Sequence, residues 1–184
     1  MPNQNRPARA NRLANDTLRQ LQRADRVLGR FVRQMPPDDV MNVLRIATYE
    51  LLALGEAPHG VVSSAVTLVR QRSGEEGLAR MTNAVLRRVS QSGLIWNDLP
   101  VPQLPKAFRK PLLATYGKAR LQAIEAEHAK PPPLDLTPCD PSVRVPGADP
   151  LPPGSLRLAT QGQVSGLPGF SSMASSFSVN TPNV

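Results

Sequence analysis

The sequence predicts a mainly α protein, a helical bundle followed by a small and incomplete α+β segment. Aromatic residues make up only 4% of the 184 residues, so Leu, Val and Ala must supply the packing. Apolar residues recur at three- and four-residue steps between 8 and 93, the period of an amphipathic helix. Proline then divides the chain, because 15 of the 20 prolines lie beyond residue 99. A chain of this length holds one or two modest domains and can bury a real core. The divisions expected are a helical domain over 8–93, a linker with an α+β segment over 94–170, and a disordered tail over 171–184.

The elements follow in order. Ala10, Leu13, Ala14, Leu18 and Leu21 form a first apolar stripe, and Ala24, Val27, Leu28 and Phe31 a second. Pro36-Pro37-Asp38-Asp39 stops one helix and starts the next. From Val40 to Leu54 the pattern is apolar almost all round, which belongs at the centre of a bundle. Gly55 ends that helix and Pro58 suits the first turn of another, with Val61, Val62, Ala65, Val66 and Val69 facing inward. Leu78, Met81, Val85, Leu86 and Val89 make the next stripe, stopped by Ser92-Gly93. Pro100, Pro102 and Pro105 stiffen a connector before two short helical segments near 106–116 and 118–129. Leu134-x-Leu136 and Ser155-Leu-Arg-Leu-Ala159 read as short strands. The stretch 171–184 has five serines and no charge, and is read as disordered.

The net charge is +8, from 18 Arg and 4 Lys against 14 acids. Such a surface fits a phosphate-rich partner, since guanidinium pairs with phosphate bidentately and displaces counterions. An arginine bias set by genome composition is the competing explanation. Residues 1–33 hold eight Arg and two Asp. Arg19, Arg23, Arg26, Arg30 and Arg33 would share one face if a single helix ran through them. A break near Gln22, with Asp25 capping a fresh helix, fits equally well, and a solvated outer face has about half the weight. A second cluster, Arg70, Arg72, Arg80, Arg87 and Arg88, surrounds one interhelical turn, where Glu75 and Glu76 could pair with some of its members. A third, Lys106, Arg109 and Lys110 with Lys118, surrounds Tyr116. The second cluster, with Lys106, Arg109 and Lys110, gives the candidate RNA-binding residues.

No catalytic residue is expected. His59 and His128 have no metal-ligand spacing around them, and His59 at a helix start reads as a capping or packing residue. No Gly-rich phosphate loop is present. The single cysteine, Cys139, reads as an incidental thiol on a loop and excludes a disulfide framework or a cysteine-based zinc site. The first 15 residues lack the apolar core of a signal peptide, and no apolar run is long enough to span a membrane. A cytoplasmic protein is expected, with no membrane partner.

Several motifs carry a resemblance. Leu44-Arg-Ile-Ala-Thr-Tyr-Glu-Leu-Leu52, Ala57-Pro-His-Gly60 and Asn83-Ala-Val-Leu-Arg-Arg88 resemble the NusB-like helical domain that opens the bacterial RsmB (Sun) ribosomal RNA cytosine-5 methyltransferases. Leu104-Pro105 with Tyr116-Gly117 is similar to a helical segment of that family, and Pro131-Pro-Pro-Leu-Asp-Leu to its first strand. Val164-Ser-Gly-Leu-Pro-Gly-Phe170 resembles the element before its catalytic domain. The resemblance runs from about Ala8 to Phe170. It implies an RNA-binding N-terminal part of a 16S-type rRNA (cytosine-5)-methyltransferase, with ribosomal RNA as partner. The alternative is a stand-alone NusB-like adaptor of RNA and protein in transcription antitermination. A decayed gene product without function is a third reading.

The departures are as informative. The family places further helix before Pro7-Ala-Arg-Ala-Asn-Arg-Leu-Ala14, so an apolar face left uncovered here could pair in a homodimer. After Phe170 the family continues into a domain with an S-adenosylmethionine loop and two catalytic cysteines, and this sequence holds none of them. Thr137-Pro138-Cys139 is a scrambled near-match, and no role is transferred to it. The expectation is a chain cut off before the catalytic domain, by frameshift or premature end, with no cofactor of its own although the full-length family uses S-adenosylmethionine.

Overall fold

The computed structural model describes residues 5–138, 140, 142, 144–158 and 177–179, with side chains described from residue 9 onward but not for 177–179. Two compact units result, Met1–Lys130 and Pro131–Val184. Among the described residues the first holds six α-helices: α1 (Asn5–Arg19), α2 (Leu21–Leu28), α3 (Asp38–Leu52), α4 (Pro58–Ser73), α5 (Glu76–Ser90) and α6 (Lys106–His128), with a short 3-10 turn at Trp96–Asp98.

Helix α3 lies at the centre, touching α1, α2, α4 and α5. Its nearly all-round apolar sequence allows this, and Val40, Met41, Leu44, Ala47 and Leu51 are buried. Asp38 and Asp39 in its first turn oppose the positive end of the helix dipole. Ala24, Val27 and Leu28 of α2 and Val85, Leu86 and Val89 of α5 close the main core, where Tyr49 meets Trp96 edge-on at 5.7 Å. Two hydroxyls in this interior lack a partner among the described residues, those of Thr48 and Thr82, both fully buried. Thr82→Val removes one of them at nearly constant volume. It should raise stability by about 1 kcal/mol, read as a higher denaturant midpoint with an unchanged slope. A lower midpoint would show that the hydroxyl is hydrogen-bonded, for instance to water.

The N-terminal region departs from the expected stripe. The helix breaks at Gln20 (φ −104°, ψ 13°), two residues before the expected position. Asp25 caps nothing there; its carboxylate accepts Arg45 Nε at 2.7 Å and Nη2 at 3.1 Å. Leu18, expected inside, is 65% exposed, whereas Asp16, Thr17 and Gln20 are buried. Each of these polar residues has a partner that permits burial. Asp16 pairs with Arg19 and Arg12, Thr17 Oγ1 donates to the Leu13 carbonyl, and Gln20 Nε2 donates to the Ala129 carbonyl.

Residues 94–130, which composition sets apart from the bundle, belong to the first unit. Arg23 Nε donates to the Pro100 carbonyl, and Gln22 and Gln103 exchange two hydrogen bonds. The two short helical segments expected beyond the connector are the halves of α6, separated at Gly117. Gly117 adopts φ 73°, ψ 171°, a backbone state that L side chains rarely enter. Buried Glu125 joins both halves: its Oε1 accepts Arg109 Nε at 2.9 Å and the Leu104 amide at 3.1 Å.

The second unit is an antiparallel sheet of β1 (Leu134–Pro138), β2 (Ala148–Leu151), β3 (Ser155–Leu158) and β4 (Phe177–Val179), in the order β2-β3-β1-β4. The two expected strands pair as β1 and β3, with Leu134 opposite Leu158 and Leu136 opposite Leu156. Leu136, Val145 and Leu158 form its small core, and Asp135 accepts a bidentate pair from Arg157 at 2.7 Å. No periodicity marks β2, which contains Pro150; as an edge strand it tolerates a residue with no amide hydrogen. Residues 171–184 were expected to be disordered. Within them Phe177–Val179 forms a strand against β1, where open ladder groups of β1 accept a short Phe-Ser-Val alternation. Cys139 and the Val164–Phe170 segment lie outside the described residues.

Candidate nucleic-acid interface

Helices α4 and α5 are joined by Gly74, whose positive φ of 68° ends α4 and turns the chain back. The two helices pack through Val69 and Ala79, both fully buried, and through Val62 and Val66. Their outer edges leave an open groove of about 600 Å³. On α4 it is lined by His59, Ser63, Thr67 and Arg70, and on α5 by Glu76, Arg80, Asn83 and Arg87, with Gln91 at the C-cap of that helix. Steps of three and four residues put each set on one helical face.

The charges in the groove do not cancel. Arg70 and Glu76 form a bidentate pair, Nε–Oε2 at 2.8 Å and Nη2–Oε1 at 2.9 Å. That hydrogen bond raises the Arg70 pKa and lowers that of Glu76. Arg80 and Arg87 are exposed and make no ion pair within 4 Å and no side-chain hydrogen bond among the described residues, although the Arg80 charge helps to lower the Glu76 pKa. One paired and two unpaired guanidiniums therefore leave a net +2 along the groove, with the Asn83 side chain on the same face of α5. An exposed pair such as Arg70–Glu76 adds little to stability, so its main effect is to occupy a cation. Glu76→Gln should free Arg70 and raise affinity for a polyanion about two- to fivefold without shifting the unfolding midpoint. An unchanged or lower affinity would remove Arg70 from the interface.

The eight residues proposed from sequence fall in different places. Arg70, Arg80 and Arg87 line the groove together. Arg88, adjacent to Arg87 in sequence, faces a second cleft with Arg33. Arg72 is exposed but lines neither cleft. On α6, Lys106 and Lys110 are exposed, whereas Arg109 is occupied by Glu125. The long Arg stripe is also broken up: Arg19 pairs with Asp16, and Arg23 serves the Pro100 carbonyl. Sequence reasoning missed His59, which was expected to cap or pack. It is exposed, and the start of α4 has no side-chain cap. The spacing of 59, 63, 67 and 70 against 76, 80, 83, 87 and 91 was the available signal.

Among the described residues no group of His, Cys, Asp and Glu could hold a metal ion, and no helix is long and apolar enough to cross a membrane. No curated protein matches the chain. A family model does, that of the NusB family, over residues 2–91, the stretch that runs from α1 through both walls of the groove. The chain thus carries a NusB-like helical domain, followed by a small α+β segment.

Proposed function

We propose that the helical unit binds RNA, with the α4–α5 groove as the contact surface. The observation that carries this is the net positive charge of one open groove in the stretch that matches the NusB family, where the Arg80 and Arg87 side chains make no hydrogen bond among the described residues and one carboxylate, Glu76, faces three guanidiniums. Planar guanidinium forks hold phosphate oxygens bidentately, and Asn83, Ser63 and Thr67 offer neutral hydrogen-bonding groups beside them. Titrating labelled single-stranded ribosomal RNA fragments against the full chain at 50–200 mM salt tests it. Affinity should fall with a log–log slope of roughly −0.7 per neutralised phosphate, hence about −1.4 or steeper for the two guanidiniums. Salt-independent binding, or none, would overturn the reading.

The finer assignment is the RNA-binding part of a 16S-type ribosomal RNA cytosine-5 methyltransferase. The order of the resembling motifs supports it: Tyr116-Gly117 falls at the break in α6, and Pro131-Pro-Pro-Leu-Asp-Leu opens β1. S-adenosylmethionine does not fit the described residues. Their strands pair only antiparallel, and none leads through a Gly-rich loop into a helix. No methyl-transfer step is assigned to this chain, and labelled methyl incorporated into RNA by the purified protein would contradict that. The family match ends at residue 91 and suits a transcription antitermination adaptor as well. Co-purification with transcription proteins instead of ribosomal RNA would move the assignment there.

A further inference from the structure

A second cleft lies across α5 from the groove, bounded by the chain between α2 and α3. Its volume is about 310 Å³, and it is lined by Phe31, Val32, Met81 and Val85 below and by Arg33 and Arg88 at the rim, with Gln34 and Ala84 beside them. Phe31, Val32 and Met81 are half-buried and Val85 is buried, so the floor is fixed by the core it belongs to. Arg33 and Arg88 are exposed and have no partner among the described residues. The volume is at the low end for small-ligand pockets, about 300–1,000 Å³, which suits one flat ring system.

Resting on the RNA-binding reading, we propose that this cleft takes one unstacked base of a single-stranded RNA, with the neighbouring phosphates on Arg33 and Arg88. Two considerations select that occupant. An apolar floor beneath a cationic rim needs a ligand that joins a flat apolar face to an anion at short range. Every nucleotide has both, covalently linked, whereas a peptide must combine an aromatic and an acidic residue in the right order. Continuity is the second. Arg87 lines the groove and Arg88 the cleft, and as consecutive residues of α5 their Cα atoms are about 3.8 Å apart. A polyanion leaving the groove at Arg87 therefore reaches the rim of the cleft by crossing over α5 at that turn, about 100° around the helix. Single strands are bound in this manner elsewhere, by bases stacked on aromatic or guanidinium planes while the backbone follows a basic track. The Gln34 side chain, at the edge, has a donor and an acceptor to offer the base.

The test separates base from phosphate. Two RNA strands of equal length are compared, one normal and one with abasic sites, so that both present the same phosphates. The intact protein should bind the base-bearing strand roughly five- to tenfold tighter. Ala84 is exposed and lines the cleft, so Ala84→Phe plugs it without disturbing the core or the charge. That variant should lose the preference while binding the abasic strand as before, at an unchanged salt slope. Arg88→Gln, a surface change, should instead weaken both strands alike and flatten the salt slope, because its guanidinium holds phosphate in either. Equal affinity for both strands, or a preference that survives Ala84→Phe, would overturn the proposal. So would displacement of a cleft-bound probe by an acidic, aromatic-bearing peptide but not by RNA, which would assign the cleft to a protein segment. Failure of the underlying reading looks different: Arg80→Gln with Arg87→Gln would then leave abasic-strand binding unchanged.

Discussion

Replacing Arg80 and Arg87 together by glutamine is expected to weaken RNA binding roughly ten- to hundredfold at low salt, the loss of two charge-assisted contacts to phosphate. The salt slope should fall by about 1.4, two phosphate contacts at ~0.7 each. Both effects should appear on any RNA sequence, because phosphate contacts carry no sequence information. Neither side chain makes a hydrogen bond in the described structure, and the exposed Arg80 acts on Glu76 only through charge, so the unfolding midpoint should move little. Arg72→Gln supplies the control: the same loss of charge in the last turn of α4, outside both clefts, should cost less. If Arg72→Gln and the double variant weaken binding equally per charge removed, net charge alone drives binding and the groove has no special part.

The largest stability effect is expected at Glu125. Its side chain is 5% exposed, and one oxygen serves both the Arg109 guanidinium, itself only 30% exposed, and the Leu104 amide. Glu125→Ala leaves a largely buried cation and an amide without their acceptor, at a cost of about 3 kcal/mol. The loss should be local before it is global. The connector and α6 are held to the bundle by few polar contacts, those of Gln22, Arg23 and Gln20, and only Leu121 and Glu125 of α6 are buried. Trypsin should therefore cut first between Lys106 and Lys118 in the variant, with faster amide exchange there than in α3. Adding Arg109→Ala should recover part of the stability, since the stranded cation is then gone. A double variant as unstable as the sum of the two singles would show that the pair does not couple.

Helix α3 was legible in the sequence because its apolar run had one physical solution, burial on all sides. The turns were legible where Pro36, Pro37 and Pro58 fixed where helices start. The α1 face was misjudged because burial was assigned by hydrophobicity alone. Asp16, Thr17 and Gln20 go inside on the strength of partners, one of them, Ala129, 109 residues away, and the Leu18 side chain is left outside. Strand β2 was hidden by Pro150, a residue that argues against a strand except at an edge, and edge position is a property of the sheet.

The candidate site was partly legible. The cluster around one interhelical turn does contain the three arginines that share a groove. Helical geometry alone separates Arg87 from Arg88, since consecutive residues point about 100° apart. What no local pattern shows is which arginines are already occupied. Arg109 and Arg80 look alike in sequence, but Glu125 sixteen residues on binds the first, whereas the second has no side-chain hydrogen bond among the described residues and only shares the charge of Glu76 with Arg70. Glu76 was noted as a neighbour, and its bidentate hold on Arg70 depends on the turn at Gly74. The exposed His59 became a groove residue only when α4 and α5 were seen side by side.

The central claim, that RNA lies on the α4–α5 groove, is tested most directly by photo-crosslinking. A single-stranded ribosomal RNA fragment carrying 4-thiouridine would be irradiated with the full chain, and the crosslinked peptides read by mass spectrometry. Crosslinks are predicted within α4 and α5, between 58 and 91, and are expected to vanish in the Arg80→Gln, Arg87→Gln variant. Crosslinks confined to the arginine-rich stretch before residue 33, or to α6 between Lys106 and Lys118, would contradict the account.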